Sequence, residues 1–177
     1  ALDFTDRHID LIDEGVDLSI RVTARLEPGH VARKLGQARM LAVASPAYLA
    51  QYGHPGHPNE LTQHRCLGYS AKTTNRPLVF AIDGVPQPWH LPYRLQANNG
   101  DALAEAAAQG LGITVQPDFI VDDLLQQGRL VTVLQAFEPP PFGIYAILPS
   151  NRYLPHRVRV LIDFLATALA PTVPAAG

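Results

Sequence analysis

The chain has 177 residues with 14 Lys+Arg, 16 Asp+Glu and seven His, a formal net charge of −2 at pH 7. Roughly 100–200 residues per domain makes that one compact domain or two small lobes. Apolar residues at 47% suffice for a core and exclude wholesale disorder, while the near-neutral balance excludes gripping nucleic acid by bulk charge. The single cysteine, Cys66, excludes an intrachain disulfide and a paired-cysteine metal site. No apolar run reaches the roughly 20 residues that span a bilayer. The chain opens with neither an initiator Met nor a secretory signal.

In chain order, Leu2 and Phe4 alternate with polar neighbours as a short strand would. Asp6 then caps a helix carrying Ile9 and Ile12, which Gly15 terminates. Val16, Leu18, Ile20 and Val22 alternate with polar residues, predicting a strand with one buried face and a parallel α/β order for this opening. A strand is predicted at 39–45, and Ser45-Pro46 supplies the N-cap and first position of a helix over 47–52, closed by Gly53. The segment 54–64 is expected to be a loop with one helical turn. Strands follow at 67–69 and 78–82, then the tight-turn pair Asp83-Gly84, and Pro86 and Pro88 assign the return strand to a sheet edge. A strand at 93–97 leads through Asn98-Asn99-Gly100 into a helix at 101–109, ended by Gly110. A strand at 111–115, a helix from Asp118 to about residue 127 closed by Gly128, and strands at 130–134 and 144–148 come next. Pro155 opens the last helix, with Val158, Leu161, Ile162, Leu165 and Leu169 on its apolar face, and 171–177 is a frayed tail. Strands alternating with helices make the class α/β. Crossings near Ser45 and near Pro139–Phe142 divide the chain into 1–44 plus 142–170 and a middle lobe of 45–141.

The common chemical signatures are absent. Gly110-Leu-Gly112 lacks a third glycine and lies between a helix and a following strand, whereas a phosphate cradle needs strand first and helix after. A helix end with close packing is the simpler explanation. His54, His57, His64 and Cys66 match no zinc spacing, so loop histidines with a structural His64 are expected and no metal is assigned. Asp3, Asp6, Asp10, Asp13 and Asp17 suit caps and solvated faces better than a carboxylate pair. No nucleophile elbow, P-loop or metalloprotease helix occurs, so no catalytic residue and no cofactor are assigned. Two features point to a ligand. Arg21 stands on a predicted strand with a planar fork suited to a carboxylate, or alternatively to one of the nearby Asp residues. Asn98 and Asn99 stand at a helix start, where amides and free backbone N–H groups can face a ligand, or where one Asn simply caps.

Several blocks carry a family resemblance: Asp10-Leu-Ile-Asp-Glu-Gly-Val-Asp-Leu-Ser-Ile-Arg21, Val31-Ala-Arg-Lys-Leu35, Leu41-Ala-Val-Ala-Ser-Pro-Ala-Tyr-Leu-Ala50, Asn98-Asn-Gly-Asp-Ala-Leu-Ala-Glu-Ala-Ala107, Gly110-Leu-Gly-Ile113 and Val158-Arg-Val-Leu-Ile-Asp-Phe-Leu165. In order and spacing they resemble the effector-binding domain of LysR-type transcriptional regulators, from residue 2 to about 170. The resemblance implies a two-lobed fold like the type II periplasmic binding proteins, each lobe a mixed sheet flanked by helices. It implies a small-molecule effector in the inter-lobe cleft, homodimerisation (a tetramer in the parent protein), cytoplasmic residence and no membrane partner. By similarity Thr5 and Arg21 fall on first-lobe cleft positions, Ser45 at the crossover, and Asn98 and Asn99 on the middle-lobe rim. Arginine with hydroxyl and amide donors suits a carboxylate-bearing effector. Against the family pattern, the helix-turn-helix, the linker helix and the first strand and helix of lobe one are missing. The chain is therefore expected to be an N-terminally truncated piece of a regulator that meets DNA only through the absent head. A free-standing solute-binding protein of the same fold is the alternative, and a small α/β enzyme has no motif behind it.

Overall fold

The computed structural model describes residues 2–5, 11–26, 31–70, 77–149 and 154–169. The expected tail at 171–177 and most of the predicted first helix lie outside these residues. Two compact units form: one from 1–7 and 39–140, the other from 8–38 and 141–177.

The first unit is built on a five-stranded sheet. Its strands are β3 (Met40–Ala44), β4 (Cys66–Tyr69), β7 (Tyr93–Ala97), β8 (Ile113–Pro117) and β9 (Val131–Val133), in the order β7-β4-β8-β3-β9. β4 runs parallel to β7 and β8, whereas β3 is antiparallel to both β8 and β9. All five residues of β3 are buried because both sheet faces are covered. On one face lie α2 (Gly100–Ala108) and α3 (Asp118–Gln126), with Leu41, Val43, Leu67, Leu103 and Ala107 packed together. Burying a side chain such as Leu103 fully is worth roughly 1.5–3 kcal/mol. The other face carries α1 (Pro46–Tyr52), the 3-10 segment η1 (Pro58–Gln63) and the hairpin of β5 (Leu78–Ile82) and β6 (Val85–Trp89), around Tyr48, Leu49, Leu61, Phe80 and Leu91. The hairpin turns at Asp83-Gly84 with φ of 50° and 77°, the pair of positive values that a two-residue turn matching strand twist requires. A second 3-10 segment, η2 (Gln135–Phe137), leads out of the sheet.

Helix ends follow the sequence signals. Ser45 Oγ accepts from Tyr48 N–H at the start of α1, and Asn99 Oδ1 from Ala102 N–H at the start of α2. Gly110 closes α2 at φ 83°: its N–H reaches the Ala107 carbonyl and the next N–H reaches Ala106, the paired bonds of a left-handed glycine cap. Gly128 closes α3 in the same way through Leu125 and Leu124. α3 differs from expectation at its start, where Pro117 stands at the cap and Asp118 is already helical.

The second unit holds a three-stranded sheet of β1 (Ser19–Thr23), β2 (Val31–Ala38) and β10 (Phe142–Leu148), in the order β1-β10-β2, with α4 (His156–Ala168) packed on it. Both pairings are antiparallel, which corrects the parallel α/β unit expected from the strand–helix–strand order of the first 22 residues. Leu2–Thr5 is exposed and forms no strand. Residues 11–15 are turns, closed at Gly15 by the Gly15 N–H to Ile12 and Val16 N–H to Leu11 bonds. The predicted apolar face of β1 is reversed: Ile20 and Val22 are exposed and Arg21 is half-buried. α4 buries Val158 and Ile162, while Leu161 and Leu169 of its predicted face are exposed. Its two flanks are tied by ion pairs, Arg157–Asp17 at 3.1 Å and Arg33–Asp163 at 2.5 Å.

The first crossing lies six residues earlier than expected, since 39–44 belongs with the middle segment, and the return falls at Pro140. Hydrogen bonding explains the shift: Met40–Ala44 pairs with β8 and β9, so it cannot complete the other sheet.

Candidate functional site

The direction of β3 decides which predicted residues gather within the first unit. β7 and β4 run parallel to β8, so their carboxyl ends meet the carboxyl end of β8 at Gln116 and Pro117. Asn98 follows β7 directly and Asn99 caps α2, which places both at that end. β3 runs the other way, with Met40 opposite Pro117 and Val43 opposite Thr114, so Ser45 emerges at the opposite end. There Ser45 Oγ lies against Gly110, at the far end of α2 from Asn99. Nine helical residues at 1.5 Å each separate them by about 14 Å. Ser45 is also 3% exposed, with its oxygen occupied by the cap. Within this unit it lies at the opposite end of the sheet from the asparagines.

The end that holds Asn98 and Asn99 has its own polar structure. Gln116 and Thr114 are buried on β8, and Gln116 Nε2 donates to Thr114 Oγ1 at 2.9 Å. A Cβ at Gly100 would press on Gln116 Oε1 and Ile120 Cδ1, so glycine lets the first turn of α2 settle onto this amide. Ser70 N–H donates to the Ala97 carbonyl, fixing the loop beyond β4 against the loop that carries Asn98. Arg39 borders this end: its N–H donates to Asp118 Oδ2, its carbonyl accepts from Asp118 N–H, and its guanidinium bonds both oxygens of Glu138. The helix start itself is electrostatically mixed. Free first-turn N–H groups favour an anion, while Asp101 in that turn opposes one. Gln116 and Thr114 were missed in the sequence because their alternation with Ile113 and Val115 suggests a solvated face. Their usable signal is a polar pair immediately before Pro117 and a helix.

Arg21 is the third of five residues in β1, opposite Tyr145 of β10 and on the face away from Ile20 and Val22. Thr23 Oγ1, two residues on, both donates to the Arg25 carbonyl and accepts from Arg25 N–H, which ends the strand. Thr5 lies in the exposed 2–5 segment, grouped with the first unit rather than with β1. A cavity of about 360 Å³ in the second unit is lined by Leu11, Ile12, Val16, Leu148, Leu154 and Asp17, and none of the predicted ligand residues reaches it.

His57, His64 and Cys66 have structural partners. Among the described residues no group of three or more His, Cys, Asp or Glu could hold a metal. Cys66 is buried, its Sγ donates to the Leu61 carbonyl at 3.4 Å, and burial pushes the thiol up to about 11. His64 Nδ1 lies 3.2 Å from the buried Tyr48 hydroxyl, and burial lowers its proton affinity against a smaller opposing pull from Glu60. Gly110 and Gly112 need no phosphate: Gly110 caps a helix, and a Cβ at Gly112 would collide with the Arg65 carbonyl, which accepts from Ile113 N–H at 2.8 Å.

Comparison with known proteins places this architecture. A family model described as the LysR substrate binding domain matches residues 1–170. The HTH-type transcriptional regulator PtxR of Pseudomonas aeruginosa is 34% identical over 160 residues, covering 90% of this chain and 51% of that protein. The regulator YhjC of Escherichia coli is also 34% identical, over 91% of this chain and 54% of its own length. Among solved structures, the CrgA regulatory domain from Neisseria meningitidis superposes with a TM-score of 0.77 at 31% identity, covering 91% of this chain and 79% of that one. Full-length AphB from Vibrio cholerae gives 0.78 at 30% identity, with coverages of 96% and 57%. The chain thus spans about half the length of the curated relatives it matches. These regulatory domains have the two-lobed periplasmic-binding-protein-like fold expected from the sequence, and the relatives are transcriptional regulators, not enzymes. No helix among the described residues is long and apolar enough to cross a membrane.

Proposed function

The chain belongs to the LysR substrate-binding domain family, and from that premise we propose that it is the ligand-sensing and dimerising part of a cytoplasmic LysR-type DNA-binding regulator whose effector is a small carboxylate. The match over residues 1–170 carries the sensing role. The carboxylate rests on Arg21, the arginine held half-buried in β1, whose fork can bond both oxygens of an acid at once. Asn98, with Asn99 and the N-terminus of α2, offers amide and backbone donors, and Thr5 a hydroxyl. Binding acts by population shift: an acid that prefers one arrangement of the domain biases DNA-binding heads carried elsewhere in the regulator. With a net charge of −2, the chain itself supplies no phosphate-gripping face, so DNA contact belongs to those heads.

A thermal-shift panel of aromatic and aliphatic acids tests the anchor. At a concentration a hundredfold above Kd, binding adds about 2.7 kcal/mol of stability and a clear rise in Tm. Arg21→Ala is expected to abolish that rise while leaving the Tm without ligand within a few degrees. An unchanged rise in the variant removes Arg21 from the site without touching the family assignment.

A further inference from the structure

Arg21 has a defined set of neighbours on its own face of the three-stranded sheet. The register of β1 with β10 pairs Ile20 with Ala146 and Val22 with Ile144, and those two β10 residues pack against α4. Side chains alternate across a strand, so Arg21 and Thr23 point to the opposite face, beside Tyr145 and Gly143 of β10. β2 continues both rows, with Lys34 opposite Tyr145 and Gln37 opposite Gly143. Gly143 decides how the tyrosine lies. A Cβ there would strike the outer ring carbons and the hydroxyl of Tyr145, so the ring leans back along β10 and covers the bare glycine backbone. Both its flanks are polar, Arg21 and Thr23 from β1, Lys34 and Gln37 from β2. Among the described residues Tyr145 joins none of the three apolar clusters, and its ring is half-buried. An aromatic ring laid on a sheet between two cations is a stacking surface with a positive border.

We propose that Tyr145 is the stacking platform of the effector site: the effector is an aromatic acid whose ring lies on Tyr145 and whose carboxylate is forked by Arg21, with Lys34 adding a second positive charge on the far side of the ring. The inference rests on the reading of Arg21 as the carboxylate anchor and narrows the ligand from any small acid to one that carries a planar ring. Neighbouring strands stand about 5 Å apart, so the Arg21 guanidinium reaches the rim of a ring seated over Tyr145. An aliphatic acid bonds Arg21 equally well but leaves the π face of Tyr145 without its offset partner.

Matched pairs of acids test it by calorimetric titration into the 177-residue chain. Benzoate, 4-hydroxybenzoate and phenylacetate are each set beside cyclohexanecarboxylate, 4-hydroxycyclohexanecarboxylate and cyclohexylacetate, which carry the same charge on a saturated ring. Burial alone favours the saturated ring, the more apolar of the two, so a preference for the aromatic member isolates stacking. At least one aromatic acid is expected to bind about tenfold more tightly than its saturated partner, the weight of one stacked pair. Tyr145→Leu is expected to erase that preference and Tyr145→Phe to retain it, whereas Arg21→Ala weakens both members of the pair. Equal affinity within every pair overturns the platform and leaves the carboxylate anchor standing, as does a preference that survives in Tyr145→Leu. Failure of all six acids to bind overturns the platform and the carboxylate anchor together. The comparison within a pair needs no variant, so a folding defect in Tyr145→Leu does not shelter the proposal.

Discussion

Cys66 and Gly112 show how much a single position can fix. The Cys66 thiol is raised to about 11 and buried beneath η1, so almost none of it is thiolate at neutral pH. Alkylation by iodoacetamide at pH 7.5 is expected to leave it unmodified in the folded chain and to modify it fully in denaturant. Labelling at the same rate in both would show that the β4 end is open. At Gly112 the obstacle is backbone rather than a side chain, because the Arg65 carbonyl occupies the place of a Cβ and holds the Ile113 N–H. Gly112→Ala must push two strands apart and is expected to cost roughly 1–3 kcal/mol, read as a lowered urea midpoint. Asn99 separates a cap from a ligand contact. Asn99→Ala removes the acceptor for Ala102 N–H and is expected to lower stability by about 1 kcal/mol. Asn99→Asp keeps the cap and the Tm but sets a negative charge beside the proposed acid, so affinity for any acid found in the panel falls. Equal affinity in Asn99→Asp leaves Asn99 a cap alone.

Among the elements, helix boundaries were legible because local atoms determine them. Ser45, Asn99, Gly110 and Gly128 each cap where their chemistry indicates. Strands 78–82 and 93–97 appear at their predicted bounds, and Pro86 and Pro88 leave the outer edge of the hairpin without N–H donors. What failed depends on distant partners. β2 gave no period-two signal: the register with β10 shifts between Ile144 and Tyr145, and Leu35 is the extra residue, so that Leu35 and Gly36 are buried in succession after exposed Lys34. β1 reads correctly as a strand, yet alternation cannot say which face the rest of the sheet covers. The same blindness explains the candidate site. Local chemistry singles out Asn98 and Asn99 and is enough to place Asn99 as the cap of α2, whereas only the antiparallel pairing of β3 with β8 shows which end of the sheet Ser45 occupies.

For the molecule as a whole, the two units differ in how the chain supplies them. One is essentially the continuous stretch 39–140, while the other is assembled from the segments on either side. A polypeptide of residues 39–140 is expected to fold alone with a cooperative thermal transition, since both faces of its sheet are covered by its own helices and hairpin. An excised 39–140 without a sigmoidal melt would mean that the core needs the flanking segments. The other unit has no such independence, because β10 must find β2 and β1 across roughly a hundred residues, and closing so long a flexible loop costs about 4 kcal/mol of chain entropy. The Arg39–Asp118 and Arg39–Glu138 bonds hold the outgoing and returning strands of that loop together once the continuous unit exists. The order of assembly is therefore built into the connectivity. The continuous stretch is expected to form before the split sheet, so a substitution that unfolds β1 or α4 is expected to leave the five-stranded core folded.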